Sequence, residues 1–345
     1  MKHAVNAPTP DLFFEAATAY VRTEALRTAV ALDLFTAVAA GGHTAAELAQ
    51  RCSASEKGMR VLCDYLVVVG FLRKDGARYM LTADTAMFLD RSSPAYIGGV
   101  LEFLHTPTLR QGYAHLTAAV RKGGTAVSGD GLLAAENTDW VRFARSMIPM
   151  MLVPAQRSAQ LVDRPASAKL KVLDIAAGHG LFGIEVAKRF VHAQITGLDW
   201  PNVLEVAQEN ARHAGIAQRY HTLAGDAFET ELGEGYDVVL ISNFLHHFSI
   251  ERCVEFLQRV HRALRSDGIA VTVEFVPDEN RVSPPLPAAF ALVMLVGTAD
   301  GDAYTWQQLD TMFKRAGFQR SSLHALAPSA EHAIVSYAGE LTPKK

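Results

Sequence analysis

Residues 172–183, with the sequence VLDIAAGHGLFG, constrain the fold of this chain more than any other segment. A short apolar run contains an acid, a glycine-rich turn follows it, and an apolar helical pattern begins after the turn. This order predicts a parallel β-strand, a tight loop and a helix N-terminus. Because glycine has no Cβ, such a loop lets a ligand approach the backbone closely. The segment therefore predicts a site for a nucleotide-like cofactor.

The glycine spacing Gly178-x-Gly180-x-x-Gly183 matches the dinucleotide fingerprint, which is a weak signal by itself. Asp174 favours S-adenosylmethionine over a nicotinamide cofactor, since a carboxylate inside the strand can hold the cofactor's amino-acid end, directly or through water, and would repel a pyrophosphate. Asp199, which ends the next apolar run, suits a ribose hydroxyl of either cofactor. With S-adenosylmethionine bound, Gly183 is expected to pack the helix onto the strand. A nicotinamide oxidoreductase and a loop without ligand are the alternatives.

Composition limits the remaining function classes. The 345 residues are 49% apolar and 20% charged, which predicts a globular chain of about two domains. A formal net charge of −3 gives no electrostatic reason to expect a nucleic-acid partner. The three cysteines form no close pair, so neither a disulfide framework nor a metal site is expected. No signal peptide or long apolar run is found, which predicts a cytoplasmic protein without a membrane partner.

The N-terminal region has the order helix, helix, hairpin. Residues 11–40 have helical apolar spacing; Thr44 with Glu47 forms a capping box for the next helix, and Ser55 caps another. An Asp75-Gly76 turn then predicts a hairpin. These elements predict a winged helix over residues 1–95. Its second helix carries apolar residues around most of its circumference, so we expect burial and a structural or dimer-forming role; DNA binding is the alternative.

Two further regions follow. Residues 96–165 are mainly helical, with glycine breaks near Gly123 and Gly129, and are predicted to form a linker and a lid over the substrate. Residues 166–345 alternate strands and helices, which predicts a doubly wound sheet with its ligand crevice at the strand C-termini. The predicted strands are 171–175, 194–199, 220–223, 237–241, 269–275, 319–326 and 332–337, and the main predicted helices are 181–190, 203–214, 251–264 and one from Thr305 to Gly317.

Polar side chains follow several of these strands. Asp226 can accept a hydrogen bond from an adenine amino group and Phe228 can cover a ring, although Asp226 could also simply cap its loop. His246 lies at the crevice, where an imidazole with a pKa near neutrality suits proton transfer, and His247 is the adjacent candidate. Glu274 ends the fifth strand and could orient the imidazole, or it could be a buried acid bonded to backbone.

These motifs resemble those of the plant-type small-molecule O-methyltransferases and their bacterial relatives, over nearly the whole chain. The segments that carry the resemblance are 173–180 (LDIAAGHG), 197–199 (GLD), 225–228 (GDAF) and 244–249 (FLHHFS). The resemblance implies an N-terminal winged-helix dimerisation domain, a Rossmann-like seven-stranded methyltransferase domain, a homodimer, and S-adenosylmethionine as cofactor with S-adenosylhomocysteine as product.

The resemblance also implies roles for individual residues. His246 takes the position of the general base and Glu274 that of an acid that positions it. The predicted cofactor contacts are Asp174, Gly178, Gly180, Asp199, Trp200, Asp226, Ala227, Phe228, Ser242 and Asn243. The predicted substrate contacts are Phe143, Met147, Met150 and Met294. The chain departs from the family at two places: Ala303 replaces a second positioning acid, and Ser242 replaces a lysine near the adenine.

The sequence thus predicts an S-adenosylmethionine-dependent O-methyltransferase acting on a hydroxyl of a small aromatic or polyketide-like metabolite. Methylation of nitrogen or carbon, and a member of the fold that has lost methyl transfer, are the alternatives within this class. The alternative from another class is a winged-helix regulator that senses S-adenosylmethionine.

Overall fold

The computed structural model describes residues 8–127 and 138–339 and groups the chain into two compact units, Met1–Leu101 and Glu102–Lys345. The division into 1–95, 96–165 and 166–345 stays a prediction. The predicted glycine break near Gly129 lies outside the described residues. In the part of the chain that the structure describes, no helix is both long and apolar enough to cross a membrane.

The first unit has the predicted order of helix, helix and hairpin. Thr44 and Glu47 form the capping box at the start of the helix Ala45–Arg51, and the Ser55 hydroxyl accepts the N–H of Gly58 at 3.1 Å at the start of the helix Glu56–Val68. Its elements are α1 (Asp11–Ala31), α2 (Leu34–Ala39), α3 (Ala45–Arg51), α4 (Glu56–Val68), β1 (Leu72–Asp75), β2 (Arg78–Leu81) and α5 (Ala83–Phe88). Strands β1 and β2 pair antiparallel around the predicted turn.

Helix α4 is buried on one face only. Met59, Cys63 and Leu66 are buried, and their spacing of four and three residues places them on one side of the helix. Val61 and Val68 lie on the opposite side, and Val68 is 81% exposed. Within the single chain, the hairpin and the neighbouring helices cover only one side of α4, so the predicted burial on most of its circumference stays a prediction for the assembled protein.

The second unit begins with helices and continues into a sheet. The leading helices are α6 (Val100–Leu104), whose first two residues belong to the first unit, α7 (Pro107–Ala114), α8 (Leu116–Lys122), α9 (Thr138–Ser146) and α10 (Ile148–Gln160). The alternating region contains β3 (Lys171–Ile175), α11 (Leu181–Arg189), β4 (Gln194–Asp199), α12 (Pro201–His213), β5 (Tyr220–Ala224), β6 (Tyr236–Ser242), α13 (Ile250–Ala263), β7 (Leu264–Glu274), α14 (Pro285–Gly297), α15 (Trp306–Arg315), β8 (Arg320–Ala325) and β9 (His332–Tyr337).

The sheet places the predicted site residues at one edge. Within the described residues it has seven strands in the order β5-β4-β3-β6-β7-β9-β8. Strands β3 to β7 are parallel, whereas β9 runs antiparallel to both β7 and β8. The chain winds from β3 outward to β5 and then returns to place β6 on the other side of β3. Ligands of open parallel sheets bind at such a reversal, beyond the strand C-termini.

Apolar side chains cover this sheet on both faces. Along β3, Val172 packs into the core on one face and Leu173 into the core on the other. Because parallel strands are covered on both faces, their sequences are continuous apolar runs. The strands β3, β4 and β9 have the bounds that the sequence predicted, and the others differ by a few residues at their ends. Helices α5 and α14 were not predicted.

Candidate active site

A cavity opens at the C-terminal ends of β3, β4, β5 and β6 in the second unit. The cavity has a volume of about 150 Å³. The lining residues are Trp140, Phe143, Ala176, Gly178, Leu198, Asp199, Trp200, Val203, Gly225, Asp226, Ala227, Phe228, Ser242, Asn243, Phe244, His247 and Phe248. Eight of the ten predicted cofactor contacts are among them.

The glycine loop presents backbone to the cavity. Gly178 has φ +56°, and a Cβ there would have only the carbonyl oxygen of Ala176 within 4 Å, at 3.8 Å. The absence of a side chain leaves room for a ligand beside the loop. Gly183 differs, because a Cβ there would lie 2.6 Å from Cγ2 of Ile195. It allows α11 to pack closely on the sheet, as the sequence predicted.

Asp199 links the glycine loop to the start of α12. Its Oδ2 accepts the N–H of Gly178 at 2.8 Å, and its Oδ1 accepts the N–H of Trp200 at 2.7 Å. Burial raises the pKa of this carboxyl to about 6, against the effect of the two backbone donors. Each carboxylate oxygen can accept more than one hydrogen bond. Asp199, which lines the cavity, therefore keeps acceptor capacity for ligand hydroxyls.

Asp174 and Gly180 do not line the cavity. Asp174 is fully buried; its Oδ2 accepts the N–H of Gly183 at 2.9 Å, and its Oδ1 has no hydrogen-bond partner among the described residues. Burial raises the pKa of this carboxyl to about 7. A Cβ on Gly180 would lie 2.8 Å from the hydroxyl of Tyr220, so this glycine packs beneath the loop. Any contact of Asp174 with a ligand has to pass through water.

The loop after β5 forms a second wall. The Oδ1 of Asp226 accepts the N–H of Phe228 at 2.7 Å, so Asp226 caps this turn and also lines the cavity. Arg259 of α13 donates hydrogen bonds to the carbonyl oxygens of Ala227, Phe228 and Thr230. One guanidinium therefore holds three carbonyl oxygens of the same loop, and a planar fork of donors suits that task.

His246 and Glu274 lie side by side behind the cavity wall. Both are buried, and Nδ1 of His246 is hydrogen-bonded to Oε2 of Glu274. The other carboxylate oxygen accepts the N–H groups of Phe244 at 3.2 Å and Leu245 at 2.8 Å. The backbone of His246 is held as well, because its carbonyl oxygen accepts the N–H of Asp302 at 3.0 Å. Glu274 is therefore a buried acid bonded both to backbone and to the imidazole, and its role in orienting a catalytic base stays a prediction.

His247, which lines the cavity, has a different environment. Its Nδ1 is buried without a hydrogen-bond partner among the described residues, and its ring meets that of Trp140 edge-on at 5.5 Å. Burial and the neighbouring His246 hold its pKa well below the usual range. Its surroundings therefore disfavour the charged form of the imidazole.

The four predicted substrate contacts are dispersed. Phe143 lines the cavity and meets Trp140 edge-on at 5.8 Å. Met147 packs against the core beside the sheet, Met294 is buried in α14, and Met150 is 41% exposed on α10. None of these three methionines lines the cavity.

Sequence reasoning missed part of the site. Phe244 and Phe248 add aromatic surface, with ring centroids 4.9 Å apart, and Val203 closes the wall from α12. Phe244 and Phe248 lie in the 244–249 motif and Val203 begins the predicted helix 203–214, but none of the three was predicted to contact a ligand. Glu331, a buried acid hydrogen-bonded to Asn243, was also missed.

The residues present fit the predicted cofactor. Two carboxylates suit the donors of a ribose and an adenine, Phe228 suits an aromatic base, and the open side of Gly178 suits a flexible chain. Asn243 adds a buried side-chain oxygen without a partner among the described residues. The cavity thus combines apolar walls with a few polar groups that fix orientation.

Comparison with known proteins identifies the family. Residues 113–319 match the O-methyltransferase domain, and residues 14–91 match the O-methyltransferase dimerisation domain. A crystal structure from Nostoc punctiforme, described as a candidate O-methyltransferase, has a TM-score of 0.92 and 50% identity over 96% of this chain and 100% of that chain. A 3-hydroxy-5-methyl-1-naphthoate 3-O-methyltransferase from Streptomyces sahachiroi is 29% identical over 89% of both chains. The tetracenomycin polyketide synthesis 8-O-methyltransferase from Streptomyces glaucescens is 27% identical over 87% of this chain and 88% of that chain.

These matches confirm the predicted fold class, the predicted enzyme class and S-adenosylmethionine as the cofactor. None of them supports a regulator or a nicotinamide oxidoreductase. The chain belongs to the O-methyltransferase family and is an S-adenosylmethionine-dependent O-methyltransferase.

Proposed function

We propose that this enzyme methylates a phenolic hydroxyl of a small aromatic, polyketide-like metabolite. Two observations support this substrate class. The Streptomyces relatives are named for 3-O-methylation of a hydroxynaphthoate and for 8-O-methyl transfer in tetracenomycin polyketide synthesis. Trp140 and Phe143 of α9 present aromatic surface to the cavity, and aromatic walls favour a flat, largely apolar ligand.

The hydrogen bond between His246 and Glu274 carries the proposed mechanism. A carboxylate only accepts hydrogen bonds, so Nδ1 of His246 carries the proton and Nε2 has a free lone pair. Nε2 makes no hydrogen bond to the described residues. His246 is thus a general base whose tautomer and ring orientation are fixed by Glu274.

His246 takes the proton of the acceptor hydroxyl at Nε2. When bound, S-adenosylmethionine supplies a methyl group on a sulfonium that an oxygen nucleophile can take by in-line displacement. The imidazolium that forms is stabilised by the Glu274 carboxylate, which two backbone N–H groups hold in place. His247 is not the base in this proposal, because it has no acid partner among the described residues.

The cofactor roles follow from the cavity walls. Asp199 binds the ribose hydroxyls, Asp226 accepts from the adenine amino group, and Phe228 covers the adenine ring. Trp200, Ala227 and Ser242 complete this part of the site. Gly178 gives the amino-acid end access to the backbone, and Asp174 acts on that end through water. Phe143 and the three predicted methionines remain proposed substrate contacts; Phe143 has the strongest support because it lines the cavity.

Methyl transfer to a panel of hydroxynaphthoates, using S-adenosylmethionine with an isotopically labelled methyl group, tests the proposal. We expect the label on a phenolic oxygen of at least one panel member, and loss of labelling in His246→Ala. Label on nitrogen or carbon, or transfer only to non-aromatic hydroxyls, would contradict the substrate class.

We also propose that the enzyme is a homodimer that uses the first unit. This unit matches a dimerisation domain, and α1 exposes large apolar side chains such as Phe13, Phe14 and Tyr20, which are costly to leave in water. Light scattering should give the mass of two chains, and Phe13→Glu should shift it toward one. A monomer mass for the unchanged chain would exclude this assembly. A cytoplasmic location stays a prediction.

A further inference from the structure

Glu331 is a buried acid that the mechanism does not use. It lies in the connection between β8 and β9 and is 1% exposed. The next residue, His332, pairs with Glu274 across the β7–β9 ladder. The sheet therefore brings Glu331 to the side of the site that holds the proposed base, although no motif marks it.

Both carboxylate oxygens of Glu331 accept hydrogen bonds from side chains. Oε1 accepts from Nδ2 of Asn243 at 2.9 Å, and Oε2 accepts from the hydroxyl of Ser329 at 3.0 Å. Burial raises the pKa of this carboxyl, and the two donors act in the opposite direction by stabilising the anion. A buried acid held by two side-chain donors costs free energy unless its partners are well placed.

These contacts determine which way the Asn243 amide faces. Its Nδ2 lies between Oε1 of Glu331 and, at 3.5 Å, the sulfur of Met151, and both of these atoms act as acceptors. A flipped amide would place its oxygen against the carboxylate, which is repulsive. Glu331 consequently directs the oxygen of Asn243 away from itself.

The backbone of Asn243 is fixed independently of its side chain. The residue has φ +52°, in the left-handed region that asparagine tolerates better than most residues. Its N–H donates to the carbonyl oxygen of Val273 at 2.8 Å. The side chain therefore starts from a defined point at the end of β6, in the cavity wall.

The oxygen of Asn243 has no partner among the described residues although it is shielded from solvent. Buried acceptors in native proteins are nearly always paired, and Asn243 lines the cavity. A ligand N–H or O–H group that reached this oxygen from the cavity would satisfy it.

We propose that Glu331 is a positioning residue that holds the Asn243 amide so that Oδ1 accepts a hydrogen bond from a ligand donor. This proposal rests on the proposed function for the donor's identity, which is either the cofactor's ammonium group or the acceptor hydroxyl. Glu331 lies in a different segment from Ala303, the place of the family's second acid, so it supplies a second acid at the site from another part of the fold.

Glu331→Gln is the decisive variant, because glutamine keeps the shape but can offer its own NH₂ group and let the amide flip. We expect this change to weaken either the Kd for S-adenosylhomocysteine or the KM for the acceptor by roughly 5- to 30-fold, the size of one well-placed hydrogen bond. If the donor is the cofactor's ammonium group, calorimetry with S-adenosylhomocysteine detects the change in Kd without turnover. If the donor is the acceptor hydroxyl, the KM for the acceptor at saturating cofactor detects it. The exposed Glu205→Gln is the matched control and should leave both unchanged.

A double-mutant cycle separates positioning from general structural damage. Asn243→Gly suits the local φ, and in this background Glu331→Gln should have no further effect on the affected constant. Wild-type constants in Glu331→Gln, or an undiminished effect in the Asn243→Gly background, would overturn the proposal. If Glu331→Gln does not fold, Asn243→Gly is the test. Wild-type values of both the Kd for S-adenosylhomocysteine and the KM for the acceptor in Asn243→Gly would overturn the proposal. A chain inactive on all phenols refutes the proposed substrate class, yet the calorimetric arm still tests Glu331.

Discussion

The acids on the two sides of the cavity hold different kinds of partner. Asp174, Asp199 and Asp226, at the ends of β3, β4 and β5, make their described hydrogen bonds with backbone N–H groups. Glu274 and Glu331, on the β7–β9 side, each accept from a side chain near the site, and Glu274 also accepts from the backbone N–H groups of Phe244 and Leu245. We call the first three the loop acids and the other two the side-chain acids.

This difference separates two tasks. A loop acid fixes the course of the backbone around a ligand, so its removal should change cofactor affinity or the stability of the loop. A side-chain acid fixes the orientation of an imidazole or an amide, so its removal should act through that group. The comparison predicts that substitutions on the two sides change different constants.

His246→Ala should have the largest effect on catalysis. If it altered cofactor binding instead of kcat, the assignment of different tasks to the two sides of the cavity would be wrong. A general base typically contributes about 10²- to 10⁴-fold, so kcat should fall by that factor while the Kd for S-adenosylmethionine stays within a few-fold. Steady-state kinetics and calorimetry measure the two constants. The exposed His192→Ala is the control; an unchanged kcat in His246→Ala removes this residue from the mechanism.

Asp174→Asn should remove most of a pH dependence of stability. Burial raises the pKa of Asp174 to about 7 from 3.8, so the folded chain keeps this proton at a pH where the unfolded chain has lost it. Stability should therefore fall as the pH rises from about 4 to about 7. At pH 8 the variant should be more stable by on the order of 2–4 kcal/mol.

Denaturant unfolding of the ligand-free protein at pH 5 and pH 8 measures this effect. The variant should still lose some stability over that range, because burial also raises the pKa of Asp199, to about 6. An equally steep decline in the variant and the unchanged chain would show that Asp174 ionises without cost.

Asp199→Ala tests the loop acids by cofactor affinity. The change removes a charged acceptor and leaves the N–H groups of Gly178 and Trp200 without their partner, so the Kd for S-adenosylmethionine should rise about 10- to 100-fold. At saturating cofactor, kcat should change much less. A normal Kd with a reduced kcat would reverse the roles assigned to the two sides.

The same two sides differ in how far the sequence predicted them. Asp199 and Asp226 follow apolar runs directly, and the rule that parallel strands end at a common edge brings them together. The caps at Thr44 and Thr305 were equally local, since each capping box is complete within four residues. These features were predictable because their partners are close in sequence.

Glu331 and α14 were missed for different reasons. Glu331 acts through Asn243, which is far away in sequence, and the hairpin around it has no motif. Helix α14, Pro285–Gly297, is apolar on nearly every side, so it lacks the alternation of polar and apolar residues that indicates a helix. A single sequence does not show which distant segments lie close together in space. The proximity of Glu331 to Asn243 is visible only in the folded structure.

Arg259→Lys should have the smallest effect on cofactor affinity. It sharpens the comparison because it weakens the support of the loop that carries Asp226 and leaves every acid in place. Arg259 donates to three carbonyl oxygens of the loop that carries Asp226 and Phe228. Lysine keeps the charge but cannot span the three acceptors as a planar fork does. We expect the Kd for S-adenosylmethionine to rise about 2- to 5-fold, with faster amide exchange in this loop and an unchanged kcat.

Arg262→Lys, exposed on the same helix, is the control. If kcat fell while the Kd stayed constant, the loop wall would serve catalysis rather than cofactor binding, and the division between the two sides of the cavity would not hold.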